Sequence, residues 1–167
     1  MKGADLAARL RNRFPDTQEF RGEVTVTVQP HDLTEVLSYL RDEPDLSFRF
    51  LSDVTASDWP ELVPRFWLAY HLLSIEHTHR VRVKTGLAPD PDPPHVASVV
   101  GAYPTADWIE REVFDFFGVV FDGHPDLRRI EMPEGWVGHP LRKDHPLSGV
   151  NTQYKGAFIP PPDQRGL

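Results

Sequence analysis

Cysteine is absent from the 167 residues, which excludes thiol catalysis, thiolate-bound zinc and cysteine-ligated iron–sulfur clusters. Long hydrophobic runs are also missing. The densest one, residues 66–75, is about half the ~20 residues that a membrane-spanning helix needs, and His71 interrupts it. Residues 1–14 are charged and amphipathic, without an apolar stretch of signal-peptide length. We therefore expect neither secretion nor a membrane span, and any membrane association would be indirect.

Positive charge is in deficit: 18 Lys and Arg stand against 25 Asp and Glu, for a net charge of -7. Nucleic-acid binding draws its free energy from clustered cations, so we expect no nucleic-acid partner. The sequence also lacks G-x-G-x-x-G, P-loop, G-x-S-x-G and H-E-x-x-H motifs. We therefore expect no catalytic, cofactor-binding or metal-binding residues in this chain.

Helical and strand periodicities succeed each other along residues 1–121. In chain order they predict a helix over 6–14, a strand over 24–28, a helix over 32–41, strands over 46–54, 65–75 and 78–87, a proline-rich loop over 88–95, and a helix from Thr105, as cap, to residue 117, with Gly118 in the left-handed conformation. In the last strand, valines alternate with basic residues, which is typical of a sheet covered on one face. This order favours an α+β fold, a mostly antiparallel sheet with helices on one face.

The remainder, residues 122–167, has a different character. It contains seven prolines and six glycines without a sustained period, so it cannot build a core of its own. Aromatic residues are nevertheless spread along it, whereas a free disordered tail is poor in them. We therefore predict two parts: an α+β domain over 1–121 and an extended C-terminal arm over 122–167, ordered by lying on its own domain or on partner subunits.

The most specific motif spans the end of the last helix and the start of the arm. It reads ERE at 110–112, DFFG at 115–118, GHPDLRR at 123–129, GHPLRKD at 138–144 and PL at 146–147. This closely resembles the signature of the C-type subunit of respiratory complex I (NADH:quinone oxidoreductase), the 30-kilodalton subunit family. Phe116 and His145 stand where relatives commonly carry leucine or methionine and an aromatic residue, respectively, which we interpret as tolerated packing changes.

The resemblance implies a non-catalytic scaffold subunit in the peripheral arm of a proton-translocating complex on the cytoplasmic side of the bacterial cell membrane. In that family, the subunit packs against the large, D-type subunit of the quinone chamber and near the B-type subunit that holds the terminal cluster. Other subunits of this hetero-oligomer would carry the NADH, FMN, iron–sulfur and quinone sites. The alternative is an equivalent scaffold subunit of a membrane-bound hydrogenase or ferredoxin-fed quinone reductase.

Polar residues of the motif are the candidates for a partner interface. They are Glu110, Arg111, Glu112, Asp115, His124, Asp126, Arg128, Arg129, His139, Arg142, Lys143 and Asp144. On the helix, Arg111 and Asp115 are one turn apart and can face each other. In the arm, arginine can bind a partner's carboxylates or pair with Asp126 and Asp144 of the same segment. The sequence leaves both interpretations open.

A metal site is a further alternative for this segment. His124, His139 and His145, with neighbouring aspartates, are residue types that bind zinc or iron. These histidines precede prolines on a glycine-rich segment instead of lying one helical turn apart, which disfavours a site. A stand-alone metal-dependent enzyme and a purely regulatory binding module therefore remain as less favoured functions.

Overall fold

The computed structural model describes residues 3–133 and 135–146 with their side chains, and the backbone of residues 152–154 and 157–159. The elements are α1 (Gly3–Arg11), β1 (Thr17–Phe20), β2 (Glu23–Val28), a 3-10 turn (Pro30–Asp32), α2 (Leu33–Asp42), β3 (Phe50–Asp58), β4 (Phe66–Ser74), β5 (His79–Leu87), β6 (His95–Ala97), α3 (Ala106–Phe117), β7 (Val120–Asp122), β8 (Thr152–Tyr154) and β9 (Ala157–Ile159). None of the helices in these ranges is long and apolar enough to cross a bilayer.

A five-stranded sheet in the order β1-β2-β5-β4-β3 organises the fold. Its neighbours pair antiparallel, except for the parallel pair of β2 and β5. Alternate side chains of β4, such as Phe66 and Leu68, are buried against the helices, as the period of 2 in a strand requires. Leu6 and Leu37 bring α1 and α2 into the same core. The expected α+β fold is thereby confirmed.

The predicted strand over residues 46–54 is wrong in its position. Strand β3 begins four residues later, at Phe50, and ends at Asp58. Ser47 has φ of 46°, a left-handed conformation that interrupts a strand, and the N–H of Phe48 donates to Leu40 O at 3.0 Å. This segment is therefore a turn after α2. Its apolar side chains are buried all the same, which is why the pattern suggested a strand.

The ends of α3 test two expectations about capping. Gly118 has φ of 75°, and its N–H donates to Phe114 O, so the left-handed C-terminal position is confirmed. Thr105 occupies the N-cap position, but its side chain makes no capping hydrogen bond, so that part of the expectation is wrong. The helix packs against β3, and Asp115 in its last turn bonds to the chain that follows β7.

Several short strands were not predicted. Strand β1 pairs with β2, and β6 pairs in parallel with β7 although His95, its first residue, belongs to the segment expected to be a loop. Within the predicted arm, β8 and β9 form an antiparallel pair. The arm is therefore not wholly irregular, and its separation from the first 121 residues stays a prediction.

Candidate partner interface

The carboxylate of Asp115, on α3, binds the segment that follows β7. It is fully buried. Its Oδ1 accepts a hydrogen bond from Arg129 Nη1 at 2.6 Å, and its Oδ2 accepts from the backbone N–H groups of Ile130, Glu131 and Met132 at 3.0, 2.8 and 2.8 Å. Burial alone would raise the pKa of Asp115, but these donors together lower it below the ordinary value. The aspartate therefore holds four donors of this segment against the helix.

Arg129 and His139 extend the same attachment toward the end of α3. The Arg129 guanidinium also donates to the carbonyls of Asp115 and Gly138, at 3.2 and 2.9 Å. The Asp115 carbonyl can only accept, so His139 donates through Nδ1–H at 2.9 Å. Burial lowers the pKa of His139, which favours this neutral tautomer. One stretch of the helix thus binds two separate parts of the chain that follows β7 and carries the rest of the motif, residues 123–133 and 135–146, which we call the signature segment.

Asp58, the last residue of β3, forms a second buried attachment. Arg65 donates two parallel hydrogen bonds to its carboxylate at 2.7 and 2.8 Å, and the backbone N–H of Lys143 donates a third at 2.8 Å. Burial raises and these donors lower the pKa of Asp58, with a net decrease. Arg65 also contacts the half-exposed Asp144 at 2.9 Å. Residues far apart in sequence are therefore joined at one end of β3.

Arg142 lies beside this second attachment. Its guanidinium pairs with Asp92 of the proline-rich loop at 2.9 Å and with Asp144 at 3.2 Å. It also stands 5.1 Å from the ring centroid of Phe66. The hydrogen bond to Asp92 is the largest reason why the pKa of Arg142 is raised. The expected pairing of arginine with carboxylates of its own segment is thus present here.

Glu110 anchors the loop that precedes α3. Its carboxylate is fully buried and accepts hydrogen bonds from Ser98 Oγ at 2.6 Å and from the Val99 N–H at 2.8 Å. Burial raises the pKa of Glu110, and these two donors oppose the shift only in part. Both hydrogen bonds are to residues of this chain, so Glu110 holds the loop against α3 and is not available to a partner.

Arg111 departs from its expected pairing. In the described chain it forms no ion pair with Asp115, whose carboxylate binds Arg129 instead. Arg111 Nε donates to the carbonyl of Arg128 at 3.2 Å, and its guanidinium lies 5.1 Å from the ring centroid of Trp108. The predicted pairing one helical turn apart is therefore wrong, because the following segment supplies a closer partner for each residue.

His124 and its neighbours form a compact turn. The buried His124 ring accepts from the Asp126 N–H through Nδ1 at 3.0 Å, so its Nε2 carries the proton and donates to the Asp107 carbonyl at 3.1 Å. Asp126 also pairs with Arg128 at 2.8 Å, and both side chains are exposed. This pair was foreseen as the alternative to a partner contact.

The twelve candidates differ in what they present to solvent. Glu110, Arg111, Asp115 and the side chain of His124 are buried; Arg129, His139 and Arg142 are partly exposed; Glu112, Asp126, Arg128, Lys143 and Asp144 are exposed. A partner can touch the exposed groups directly, whereas the buried ones act by fixing the segment that carries the others. Assignment of these residues to a partner interface stays a prediction.

The histidines do not converge on one point. His124 binds a carbonyl near the start of α3 and His139 a carbonyl near its end. Among the side chains that the structure describes, no three His, Asp or Glu residues are arranged to hold a metal ion. The disfavoured alternative of a metal site thus gains no geometric support from these residues.

Sequence reasoning missed Asp58 and Arg65. A signal existed, since an aspartate ends one strand and an arginine immediately precedes the next strand of the hairpin, and opposite charges commonly pair in that arrangement. The misplaced strand over 46–54 hid it, because the predicted strand ended before Asp58.

Two solved structures are similar to this fold over most of its length. A trypsin-resistant fragment of Nqo5 aligns with a TM-score of 0.63 at 25% identity, over 75% of this chain and 99% of the fragment. A chain from the membrane-bound sulfane sulfur reductase, an archaeal respiratory membrane complex, aligns with a TM-score of 0.67 at 27% identity, over 87% of this chain and 86% of that chain.

The sequence defines the family more closely. Residues 26–151 match the family described as respiratory-chain NADH dehydrogenase, 30 Kd subunit. The C-type subunit of the NADH-quinone oxidoreductase of Saccharopolyspora erythraea is 52% identical over 146 residues, 87% of this chain and 58% of that protein. The corresponding protein of Mycolicibacterium smegmatis is 50% identical over 87% of this chain and 61% of its own length. The chain belongs to this 30 Kd subunit family, and it spans about six-tenths of the length of these relatives.

Proposed function

We propose that this chain is a non-catalytic scaffold subunit in the peripheral arm of a proton-translocating NADH:quinone oxidoreductase. The observation that carries the proposal is the identity of about half of all aligned positions with named C-type subunits of that enzyme. The function is to hold neighbouring subunits in position while electrons pass from NADH to quinone.

The buried attachments support a scaffold role. Hydrogen bonds to Asp115 and Asp58 fix the backbone of the signature segment. The exposed side chains of the segment, among them Arg128 and Lys143, therefore project from a rigid backbone. A surface ordered before association loses less conformational entropy when it binds. Such a preorganised surface suits permanent assembly with other subunits.

Redox chemistry is assigned to the other subunits. The chain contains no cysteine to ligate an iron–sulfur cluster, so FMN, clusters and quinone would be held elsewhere in the complex. We propose the large subunit of the quinone chamber and the subunit with the terminal cluster as its partners. The chain would then lie on the cytoplasmic side of the membrane and contact the bilayer only through those partners.

A second candidate is an equivalent scaffold in a respiratory membrane complex that uses another electron donor, such as a membrane-bound hydrogenase or a ferredoxin-fed quinone reductase. The alignment with a chain of the sulfane sulfur reductase complex favours it, because that likeness covers most of both chains. The donor is bound by other subunits in either case.

A native purification distinguishes these functions. The tagged full chain is isolated from its own membranes, and co-purifying subunits are identified and quantified by mass spectrometry. We expect NADH-binding and cluster-bearing subunits in fixed stoichiometry. A nickel-containing partner would support the second candidate, and recovery of the chain alone would refute both.

A pair of charge reversals localises the contact. Lys143→Glu should reduce recovery of the partners, because its exposed ammonium is on the proposed surface while its backbone N–H still binds Asp58. Arg49→Glu, an equal change of charge on an exposed residue after α2, should leave recovery unchanged. Equal recovery with both variants would place the interface elsewhere on the chain.

A further inference from the structure

An apolar groove runs along the outer edge of the sheet, beside the signature segment. Strand β3 is the last in the sheet order, and no strand of the described chain pairs with its free side. A cavity of about 210 Å³ opens there between Val54 and Ala56 of β3, Phe116 and Phe117 of α3, and Leu141. It is large enough for one leucine- or phenylalanine-sized side chain.

Unpaired edges of sheets are places where another chain can add as a strand. In an antiparallel pair, alternate residues direct their N–H and C=O away from the partner strand, so β3 presents such groups at its free edge. The backbone N–H of Val54 donates to Asp53 Oδ1 at 2.9 Å, so one of these backbone donors is already hydrogen-bonded to a side chain. Within the described part of the chain, the edge is thus shielded locally by a carboxylate and not by a neighbouring strand.

Hydrogen bonds fix the backbone of Leu141, which lines one side of the cavity. Its N–H donates to Phe116 O at 3.1 Å, and the attachments at Asp115 and Asp58 fix the chain on either side of it. Its side chain nevertheless remains 48% exposed. A rigid backbone with a half-exposed leucine is typical of a preformed apolar contact.

The rim of the groove is acidic. Asp53 and Glu112 line it, both are exposed, and neither forms an ion pair among the residues that the structure describes. The natural complement is a basic side chain. A second copy of this chain, with its net charge of -7, would bring more negative charge to this rim, which disfavours it.

We propose that this groove binds an extended segment of a partner subunit, which adds alongside β3, inserts one apolar side chain into the cavity and places a Lys or Arg against Asp53 and Glu112. The proposal rests on the proposed function, since it assumes assembly with other subunits. Backbone hydrogen bonds would give affinity, and the cavity would select the side chain, as in other strand-addition complexes.

Two apolar-to-acidic substitutions, one in the cavity and one away from the signature segment, test the groove. In the tagged full chain, Leu141→Asp should lower the yield of the bound partner by about tenfold or more, because a carboxylate would be buried in an apolar cavity. Ile75→Asp is the control, since Ile75 is 72% exposed in the turn between β4 and β5 and does not line the cavity. Equal yields with both variants, alongside normal recovery with the unchanged chain, would overturn the groove proposal and leave the proposed function standing.

Cross-linking identifies the occupant. A photo-reactive amino acid replaces Thr55, exposed on β3, or, as a control, Thr34, exposed on α2. Irradiation of the native complex followed by peptide mass spectrometry should join position 55 to one partner subunit, at a stretch in which an apolar residue neighbours Lys or Arg. A product with a second copy, with another part of the same chain, or with no polypeptide would refute the proposal.

Discussion

Replacement of Asp115 by alanine should release the signature segment from α3. The fully buried carboxylate accepts from one guanidinium and three backbone N–H groups. A hydrogen bond to a charged group contributes about 1.5 to 3 kcal/mol, but four at one carboxylate do not add. Loss of one member of a buried charge pair costs about 3 to 5 kcal/mol. We expect a decrease of that size in the free energy of unfolding, a large share of the ~5 to 15 kcal/mol of a typical domain.

Urea unfolding of the full chain, followed by tryptophan fluorescence, measures this decrease. Asp126→Ala is the matched control, because it removes an exposed carboxylate of the same segment that pairs with Arg128; it should change stability by less than about 1 kcal/mol. Hydrogen exchange gives an independent measurement, since the N–H groups of residues 130–132 should exchange much faster in Asp115→Ala. Equal stability of the two variants, with these N–H groups still protected, would refute the assigned role of Asp115.

Acidification tests the same contact without removing an atom. The pKa of Asp115 is lowered from its ordinary 3.8, so its stabilising contribution is complete above that value and is lost as the pH falls through the lower folded pKa. Urea titrations at several pH values should therefore show the stability difference between the unchanged chain and Asp115→Asn shrinking below about pH 4. A difference that stays constant down to about pH 2 would contradict the pairing.

Two further substitutions test packing. Gly118→Ala should destabilise the fold by at least about 1 kcal/mol. The residue has φ of 75°, and an added Cβ would lie 2.7 Å from the His139 ring. A melting temperature equal to that of the unchanged chain would count against this. Tyr103→Phe should lower the free energy of unfolding, measured in urea, by about 1 kcal/mol, because the buried hydroxyl donates to Phe48 O at 2.7 Å. An unchanged or higher free energy of unfolding would show that this hydrogen bond gives no net stabilisation.

Elements with a strong local signal could be predicted from the sequence. The spacing of apolar residues in α3 and the glycine that follows it indicated both the helix and its left-handed end, since these depend on neighbouring residues. The strand over residues 46–54 was misplaced because Leu46 and Phe48 are buried as a strand's residues would be, although they lie in a turn. Burial alone does not fix backbone conformation.

The attachments within the candidate interface were only partly predictable. The pairs of Arg128 with Asp126 and of Arg142 with Asp144 join close neighbours in sequence, and they were anticipated as one of two alternatives. The bonds of Asp115 to a stretch 14 to 17 positions later were not foreseen. They depend on the path of an irregular chain, which hydrophobic periodicity does not describe.

The parallel contact between β2 and β5 has a consequence during synthesis on the ribosome. Thr25 aligns with Arg82, 57 positions later in the chain, whereas the hairpin of β4 and β5 closes over only a few residues. Non-local pairing is slow, because a long loop must close before any contact forms. The first hairpin, β1 and β2, therefore leaves the ribosome before β5 has been translated. During that interval, the edge of β2 that later pairs with β5 has no partner strand.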